Sequence, residues 1–242
     1  MIRLILVVLF LIIFFIISLP LFLIEWIIGK FSKHARDVSS HAIVACAFRI
    51  ILFLTGVKLT VKGKENIPDE ACLFVGNHNS FFDILVSYVT IPKVMGFIAK
   101  IEIKKVPLLN IWMYYVNCLF LDRSNVREGL KTILKAADYI KSGVSMFVFP
   151  EGTRSKDGKM IPFKEGSMKM AEKSTGIIVP VAMTGTADIL ENHFPKLKSG
   201  KVTIEFGAPI YTKELSKEEK KFIGAYAQEQ IQHMLDEHVL YN

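Results

Sequence analysis

The sequence predicts an α/β protein with a mixed sheet covered by helices, preceded by an N-terminal two-helix motif that associates with a membrane. Three observations support this prediction. A long apolar run opens the chain, a second apolar segment follows it, and from Val57 short strand-like segments alternate with amphipathic helical ones. Such alternation is typical of a sheet that carries helices on its faces. We therefore expect a hydrophobic membrane-associating region at residues 1–56 and an α/β domain at residues 57–242.

The first apolar run extends from Leu4 to Ile24 and contains no charged residue. As a helix it would be about 30 Å long, which is close to the hydrocarbon thickness of a bilayer. It is longer than the apolar region of a secretory signal, and no small-x-small cleavage site precedes Glu25. We expect the chain to keep this segment, with a break or kink at Pro20 because proline removes a helical hydrogen bond.

The second apolar segment, Ala42 to Gly56, carries Arg49 near its centre. An arginine at the centre of a spanning helix costs about 2.5–3.5 kcal/mol on insertion scales. We therefore expect this segment to lie in the membrane interface, with Arg49 reaching the headgroups. Two arrangements remain open: a hairpin sunk into one leaflet, or one spanning helix followed by one surface helix.

The charges indicate an orientation and a class of partner. Lys30, Lys33 and Arg36 lie between the two apolar segments, whereas only Arg3 precedes the first. The positive-inside rule then places the α/β domain on the cytoplasmic face of the inner (plasma) membrane. The net charge of +7 suits an acidic surface or an acidic substrate. No RNA- or DNA-binding motif is present, so we expect the membrane bilayer and no nucleic acid as a partner.

The cysteines and histidines show no spacing typical of a metal site, so we expect neither a metal nor another cofactor. Cys46, Cys72 and Cys118 are widely spaced in apolar surroundings, and we expect all three to be core residues of a protein from a reducing compartment.

Seven segments are predicted as strands because they are short, rich in β-branched or aromatic residues, and bounded by glycine, proline or charge. These segments are Lys58–Lys62, Cys72–Val75, Gly96–Ala99, Cys118–Leu121, Ser145–Phe149, Ile177–Met183 and Val202–Phe206.

Two helices are predicted clearly. Asn125–Ser142 has an apolar face with helical spacing, and Gly143 can end it. The last helix opens with the capping box Ser216-x-x-Glu219 and runs to about His238. The apolar face of the first helix is predicted to consist of Val126, Leu130, Ile133, Leu134, Ala137 and Ile140.

A histidine and an aspartate follow the second predicted strand in GNHNSFFD, Gly76 to Asp83. On an ideal helix their spacing would separate them by about 140°, so they can meet only if His78 precedes the helix and Asp83 lies in its first turn. Ser80 as the N-cap would provide this geometry. An aspartate bonded to one imidazole nitrogen leaves the other free as a base for a substrate hydroxyl. Alternatively, Ser80 and Asp83 form a capping box that only stabilises the helix start.

The predicted strand Ser145–Phe149 leads directly into PEGTRS, residues 150–155. Pro-x-Gly is ordinary turn chemistry, and a turn is one interpretation. An anion site is the other, because glycine, backbone N–H groups and an arginine at a strand end can hold a negative charge. The basic loop that follows, residues 152–166, is of a kind that is usually a solvated surface.

Four stretches together resemble the glycerolipid acyltransferase family, most closely its bacterial 1-acyl-glycerol-3-phosphate acyltransferases. They are NHNSFFD at 77–83, LFLDR at 119–123, FPEGTRS at 149–155 and IIVPVAM at 177–183, in the family's order. The hydrophobic N-terminal helices also resemble that family. The resemblance implies transfer of a fatty acyl group from acyl-carrier protein or acyl-CoA to the free sn-2 hydroxyl of lysophosphatidic acid, which gives phosphatidic acid.

The resemblance also implies roles for individual residues. His78 would take the proton from the attacking hydroxyl, and Asp83 would orient and stabilise the imidazolium. Glu151 is expected to hold a basic side chain or a glycerol hydroxyl within the acceptor site. The residues that the resemblance assigns to the acceptor phosphate are Lys100, Lys105, Arg123, Glu151, Gly152, Thr153 and Arg154.

Several of these residues have a second interpretation. Arg123 could instead form a salt bridge with a helix carboxylate such as Glu128, and Lys100 and Lys105 could face the membrane surface. The segment Pro107–Tyr115 could line a tunnel for the acyl chain or belong to the core.

Two other functions are compatible with parts of the pattern. A membrane lipid hydrolase would use Ser80 or Ser167 as its nucleophile, although neither lies in a G-x-S-x-G nucleophile elbow. A non-catalytic lipid-binding protein would use the basic loop to hold a headgroup, and it would leave the His78–Asp83 spacing without a purpose.

Overall fold

The computed structural model describes residues 1–155 and 157–240; Lys156, Tyr241 and Asn242 lie outside the described residues. Two long helices open the chain, α1 at Ile2–Phe31 and α2 at Lys33–Thr55. Ser32 joins them and caps α2, because its Oγ accepts a hydrogen bond of 3.1 Å from the amide of Ala35. The hairpin is further tied by the buried Glu25 of α1, whose carboxylate accepts hydrogen bonds from two serines of α2.

Helix α1 is continuous through Pro20, so the expected break at this proline is wrong. One face of α1 is exposed and apolar, whereas its other face packs against α2 and, through Phe14, Ser18 and Phe22, against a later helix at Leu109–Tyr115. That packing continues on both sides of Pro20 and supports the helix where the proline removes a hydrogen bond. By length and composition alone, both α1 and α2 could cross a membrane.

In the part of the chain that the structure describes, eight strands form one mixed sheet. The order is β1-β7-β6-β2-β5-β3-β4, with β8 paired to β6. Strand β6 is antiparallel to β7 and β8, and the other pairs are parallel. The strands are β1 Lys58–Lys62, β2 Leu73–Gly76, β3 Met95–Lys100, β4 Leu119–Leu121, β5 Ser145–Val148, β6 Ile177–Thr184, β7 Lys201–Phe206 and β8 Ile210–Tyr211.

The seven predicted strands are therefore confirmed, with ends that differ by one residue or so. Strand β8 was missed because two residues are too few to show an alternating pattern. The central strands are buried on both faces, as parallel strands usually are. In β2, for example, Phe74 belongs to one core, while Leu73 and Val75 belong to the other.

Helices cover both faces of the sheet. Helices α1 and α2 share one core with α3 at Phe82–Thr90 and α4 at Leu109–Tyr115. The opposite face is covered by α5 at Val126–Lys141, α6 at Lys169–Glu172 and α7 at Ile223–Leu240. The predicted α/β class with an N-terminal two-helix motif is thus confirmed.

The apolar face predicted for α5 is only partly correct. Val126, Leu130 and Leu134 are 87%, 51% and 44% exposed. The face that contacts the sheet consists of residues with the spacing i, i+3, i+4 and i+7, namely Ile133, Ala136, Ala137 and Ile140. The small alanines allow the helix to approach the sheet closely, and this packing turns the leucines at 130 and 134 towards the outside.

The capping box before α7 is present. The amide of Ser216 donates a hydrogen bond to the carboxylate of Glu219, and the amide of Glu219 donates one to Oγ of Ser216. The capping box opens a 3₁₀ turn at Glu219–Phe222, and the α-helix begins only at Ile223. Among the cysteines, Cys72 and Cys118 are buried as expected, but Cys46 is exposed because it lies on the outer side of α2.

Candidate active site

The candidate site lies where β2, β4 and β5 end, at the carboxyl edge of the parallel part of the sheet. Ligands of open α/β sheets commonly bind beyond this edge. Asn77, which follows β2, is buried and forms two hydrogen bonds with the backbone of Met183 on β6, at 2.9 and 2.8 Å. This double contact holds the start of the loop that carries His78.

His78 and Asp83 meet as the spacing predicts. His78 lies before α3 and Asp83 in its first turn, and the distance from His78 Nδ1 to Asp83 Oδ2 is 2.9 Å. The same oxygen accepts hydrogen bonds from the backbone amides of Asn79 and Ser80, both at 2.7 Å. Asp83 therefore caps the helix start and contacts the histidine at the same time, so the two interpretations of this residue do not exclude each other.

Helix α3 begins at Phe82, and Ser80 lies two positions before it. The Oγ of Ser80 accepts a hydrogen bond of 3.0 Å from the amide of Phe82. The N-cap position of α3 is therefore Phe81, one residue after the predicted Ser80, and Ser80 supports the helix start from just before it. The other carboxylate oxygen of Asp83, Oδ1, is buried without a hydrogen-bond partner among the described residues.

The imidazole of His78 is held on its face as well as at Nδ1. It stacks on the ring of Phe149, with 4.0 Å between the centroids and 14° between the planes, and 16% of the side chain is exposed. A carboxylate can only accept at Nδ1, so the proton of a neutral imidazole lies on Nδ1 and Nε2 is the basic nitrogen. The structure gives Nε2 no hydrogen-bond partner within residues 1–155 and 157–240.

Glu151 joins the loop after β5 to the loop after β2. It is buried, and its Oε1 accepts a hydrogen bond of 2.7 Å from the amide of His78, while Oε2 accepts one of 2.9 Å from the amide of Ile161. Burial raises the pKa of this carboxyl, and the two amide hydrogen bonds partly oppose that shift. We expected a basic side chain or a glycerol hydroxyl here; the partners that the structure gives are backbone amides.

Gly152 has a φ of 80°, in the left-handed region that favours glycine. Its carbonyl accepts a hydrogen bond from Nη1 of Arg123. A Cβ at this position would lie 2.8 Å from Nζ of Lys164 and 3.1 Å from Nη1 of Arg123, so two cations approach this glycine closely. The alternative partner of Arg123, Glu128, instead pairs with Lys131 at 2.6 Å.

Arg154 lies beside a carboxylate that the sequence did not single out. Its Nη1 donates a hydrogen bond of 2.9 Å to Oε1 of Glu191, and its guanidinium lies 4.0 Å from the centroid of the Phe81 ring. Thr153 is exposed next to it. Glu191 was missed, because it belongs to no recognisable motif and only the fold brings it to this edge. Lys164 belongs to the basic loop at residues 152–166, which was interpreted as a solvated surface, and the structure places its Nζ beside Gly152.

Lys100 and Lys105 are exposed at the two ends of the connection after β3, which forms a 3₁₀ turn at Ile101–Lys105. Burial lowers the pKa of the Arg123 guanidinium, and the negative charge of Glu102 in this turn opposes that shift. The turn is therefore close enough to Arg123 for the two charges to interact. It lies beside the cationic group, although no contact between either lysine and Gly152 is present in the described part of the chain.

The segment Pro107–Tyr115 shows features of both of its interpretations. Trp112 and Tyr115 are buried and donate hydrogen bonds to Ser18 Oγ and the carbonyl of Phe22 on α1, at 2.8 and 3.1 Å. These residues are core. A cavity of about 530 Å³ lies between the end of α1 and α4, lined in part by Ile111 and Tyr114.

A family model described as "Acyltransferase" matches residues 58–184. Three similar proteins are described as 1-acyl-sn-glycerol-3-phosphate acyltransferases. The chloroplastic BAT2 of Brassica napus is 32% identical, with 75% of this chain and 53% of that protein covered. Proteins of Saccharomyces cerevisiae and Borreliella burgdorferi are each 30% identical, over 79% of this chain and over 63% and 77% of their own lengths. The chain thus spans less than two thirds of the first two relatives.

Among solved structures, the chain is similar to the crystal structure of the 1-acyl-sn-glycerophosphate (LPA) acyltransferase PlsC from Thermotoga maritima. The TM-score is 0.74 at 27% sequence identity, and 97% of each chain is covered. The similarity therefore includes the two N-terminal helices as well as the sheet that carries the candidate site.

Proposed function

The chain belongs to the acyltransferase family, and we propose that it transfers a fatty acyl group from acyl-carrier protein or acyl-CoA to the free sn-2 hydroxyl of lysophosphatidic acid. The observation that carries this proposal is the position of the His78–Asp83 pair. Its loop is hydrogen-bonded through Glu151 to the loop that carries Gly152 and Arg154. A base for a hydroxyl and a group of cations for a phosphate therefore belong to one hydrogen-bonded unit.

In the proposed reaction, Nε2 of His78 accepts the proton of the acceptor hydroxyl while the oxygen attacks the thioester carbon. Asp83 stabilises the resulting imidazolium through Nδ1, and the backbone amides on its Oδ2 keep its carboxylate oriented. The carbon–sulfur bond then breaks, and the imidazolium returns the proton to the departing thiolate. The thioester is already activated, so no nucleophile of the enzyme is needed.

The acceptor phosphate is assigned to the cations around Gly152. Arg123, Lys164 and Arg154 supply positive charge, and both arginines can make bidentate contacts with phosphate oxygens. The left-handed backbone at Gly152 has no Cβ, so Arg123 and Lys164 can approach it closely. Lys100 and Lys105 remain candidates for additional contacts at the rim, and Thr153 for a hydroxyl contact.

The geometry weighs against a hydrolase that uses Ser80. This serine is fully buried, and its Oγ donates a hydrogen bond of 2.6 Å to Glu191 while it accepts one from Phe82. A hydroxyl with both functions engaged is poorly placed to attack an ester. A protein that only binds lipid, in turn, would not need an imidazole held at Nδ1 and on its ring face.

We propose that α1 and α2 hold the enzyme in one leaflet of the membrane. Helix α1 packs mainly against α2. Near its middle it also contacts the catalytic domain, because Phe14, Ser18 and Phe22 meet Trp112 and Tyr115 of α4. If α1 crossed the bilayer, this packing would draw the charged domain into the hydrocarbon, where unpaired polar groups are costly. A helix that lies in the interface exposes its apolar face to lipid and leaves the domain in water. We place that domain on the cytoplasmic side of the inner membrane, because Lys30 at the end of α1 and Lys33 and Arg36 at the start of α2 cluster where the two helices meet.

The test is acyl transfer by the purified protein in detergent or vesicles. Lysophosphatidic acid is supplied with acyl-carrier protein or CoA thioesters, and the products are identified by mass spectrometry. We expect phosphatidic acid from the wild type and none from His78→Ala, whose fold is verified by circular dichroism. His233→Ala is the matched control, because His233 is exposed on α7 and pairs with Glu237, one turn further along the same helix. Full activity of His78→Ala would refute the mechanism, and a panel of lysophospholipids identifies the acceptor.

A further inference from the structure

Glu191 connects the two halves of the candidate site. It lies in a 3₁₀ turn, Glu191–His193, after β6 and beyond the residues that the family model matches. Its Oε1 accepts hydrogen bonds of 2.9 Å from both Nη1 of Arg154 and the amide of Phe81. Its Oε2 accepts one of 2.6 Å from Oγ of Ser80.

These contacts link elements that carry different functions. Ser80 and Phe81 lead into α3, whose first turn holds Asp83, whereas Arg154 belongs to the loop after β5. The same carboxylate contacts both segments, and its side chain is only 21% exposed. Glu191 therefore lies between the segment that precedes α3 and Arg154, and it contacts neither His78 nor Asp83 among the described residues.

Arg154 is fixed by Glu191 on one edge and by a ring on its face. Its guanidinium lies over Phe81, the residue whose amide also donates to Glu191. Of the five N–H groups of an arginine, this arrangement uses one for Glu191 and leaves the others for a ligand. A long side chain that is held in place before binding loses less conformational freedom when the phosphate arrives.

We propose that Glu191 is a positioning residue that orients Arg154 towards the phosphate of the acceptor. The inference deepens the proposed function and rests on it. Glu191 does not contact the substrate in this assignment. Its negative charge is compensated by the guanidinium that it holds, so the gain from orienting Arg154 exceeds the repulsion between the carboxylate and the phosphate.

The experiment compares the full-length wild type with Glu191→Gln. Glutamine keeps the length of the side chain and one oxygen acceptor, but its NH₂ group cannot accept a hydrogen bond, and the charge is lost. We expect the KM for lysophosphatidic acid to rise about ten-fold, with kcat within about two-fold of the wild type. A KM that is unchanged or lower would overturn the proposal. A loss of kcat and of melting temperature at constant KM would also overturn it, since this is the result of a purely structural role.

Two further variants locate the effect. Asn192→Ala removes a hydrogen bond of 2.8 Å from the same turn to Asp188, which lies just before it, and leaves the three contacts of Glu191 in place, so its KM should equal that of the wild type. In an Arg154→Ala background, Glu191→Gln should no longer raise KM, because the group that it orients is absent. An equal rise in that background would contradict the assigned role.

A binding measurement separates this inference from the proposed function. Dodecyl phosphate serves as the probe in isothermal calorimetry, which needs no turnover. We expect Glu191→Gln to weaken its binding about ten-fold and Asn192→Ala to leave it unchanged. If the wild type does not acylate lysophosphatidic acid but this pattern is found, only the proposed function fails. If the wild type is active and Glu191→Gln binds the probe as the wild type does, only the role of Glu191 fails.

Discussion

The carboxylate of Glu151 accepts a hydrogen bond of 2.7 Å from the backbone amide of His78. This contact joins two loops that are far apart in the sequence but follow neighbouring strands of the sheet, β5 and β2. The amide of Ser155 strengthens the connection with a hydrogen bond of 2.8 Å to the carbonyl of His78. The backbone of the proposed base is therefore held by the block of residues that also supplies Arg154.

The first prediction concerns Glu151→Gln. The amide NH₂ of glutamine would face one of the two backbone amides that now donate to Glu151, and a buried donor would remain without a partner. Although burial raises the pKa of Glu151 and makes its charge costly, the lost hydrogen bond should dominate. We expect the free energy of unfolding to fall by about 1–3 kcal/mol, and kcat to fall as the loop of His78 loosens.

Urea unfolding followed by circular dichroism measures the effect of Glu151→Gln. Glu128→Gln is the matched control, because Glu128 is exposed and forms a surface pair with Lys131. We expect that variant to stay within about 0.5 kcal/mol of the wild type. Equal stabilities of the Glu151 and Glu128 variants would show that Glu151 does not brace the two loops.

The second prediction concerns Asp83→Asn. The asparagine oxygen can still accept from the amides of Asn79 and Ser80, so helix α3 should form. The carboxamide no longer stabilises a protonated His78, and kcat should fall by about 10²–10⁴-fold with little change in KM. Steady-state kinetics measure this, with Asp138→Asn on the exposed side of α5 as the control. Retention of most of the wild-type kcat would rule out Asp83 as the partner of a catalytic base.

The third prediction concerns Arg123, which we propose binds the phosphate of the acceptor. Arg123→Ala should raise the KM for lysophosphatidic acid by about 10–100-fold, the range expected for a lost charge-assisted hydrogen bond. Arg123→Lys should recover only part of this, because lysine lacks the planar fork. Arg127 lies four positions after Arg123, in the first turn of α5, and is exposed. Arg127→Ala should therefore leave KM unchanged. If the two alanine variants behave alike, Arg123 contributes no more than general positive charge.

The fourth prediction concerns the buried cysteines. Burial raises the pKa of both Cys72 and Cys118 to about 12, so at pH 8 only about one thiol in ten thousand is ionised. In a Cys46→Ser variant, which removes the exposed thiol, we expect no maleimide labelling of the native protein and labelling of two thiols after denaturation. Rapid labelling under native conditions would mean that the core around β2 and β4 opens easily.

Most of the local structure could be predicted because the relevant signal is local. Seven strands were identified as short segments rich in β-branched or aromatic residues and bounded by glycine, proline or charge. The spacing of His78 and Asp83 was enough to infer their contact around a helix start. Strand β8 and the exposed side of α5 could not be predicted in this way. Strand β8 has only two residues, which is too few for a recognisable pattern. Helix α5 has more apolar residues with helical spacing than the sheet can cover, and only tertiary packing determines which of them are buried.

The partners of the carboxylates in the site depended on the fold to a greater extent. Glu151 lies in a stretch that the sequence singled out, yet its partners are amides from residues 73 positions before it and 10 after it. Lys164 and Glu191 belong to no motif, and the sheet order alone brings them to the edge formed by β2, β4 and β5.

By itself, the sequence determined the apolar N-terminal helices, the alternating strands and helices, and the identity of the groups available for acid–base chemistry and anion binding. The tertiary structure decided how those groups are connected: which loop holds His78, that two cations meet at Gly152, and that Glu191 links Arg154 to the start of α3. The physical reason is that periodicity and capping act between residues close in the chain. Hydrogen bonds between loops instead depend on the order in which distant strands pair.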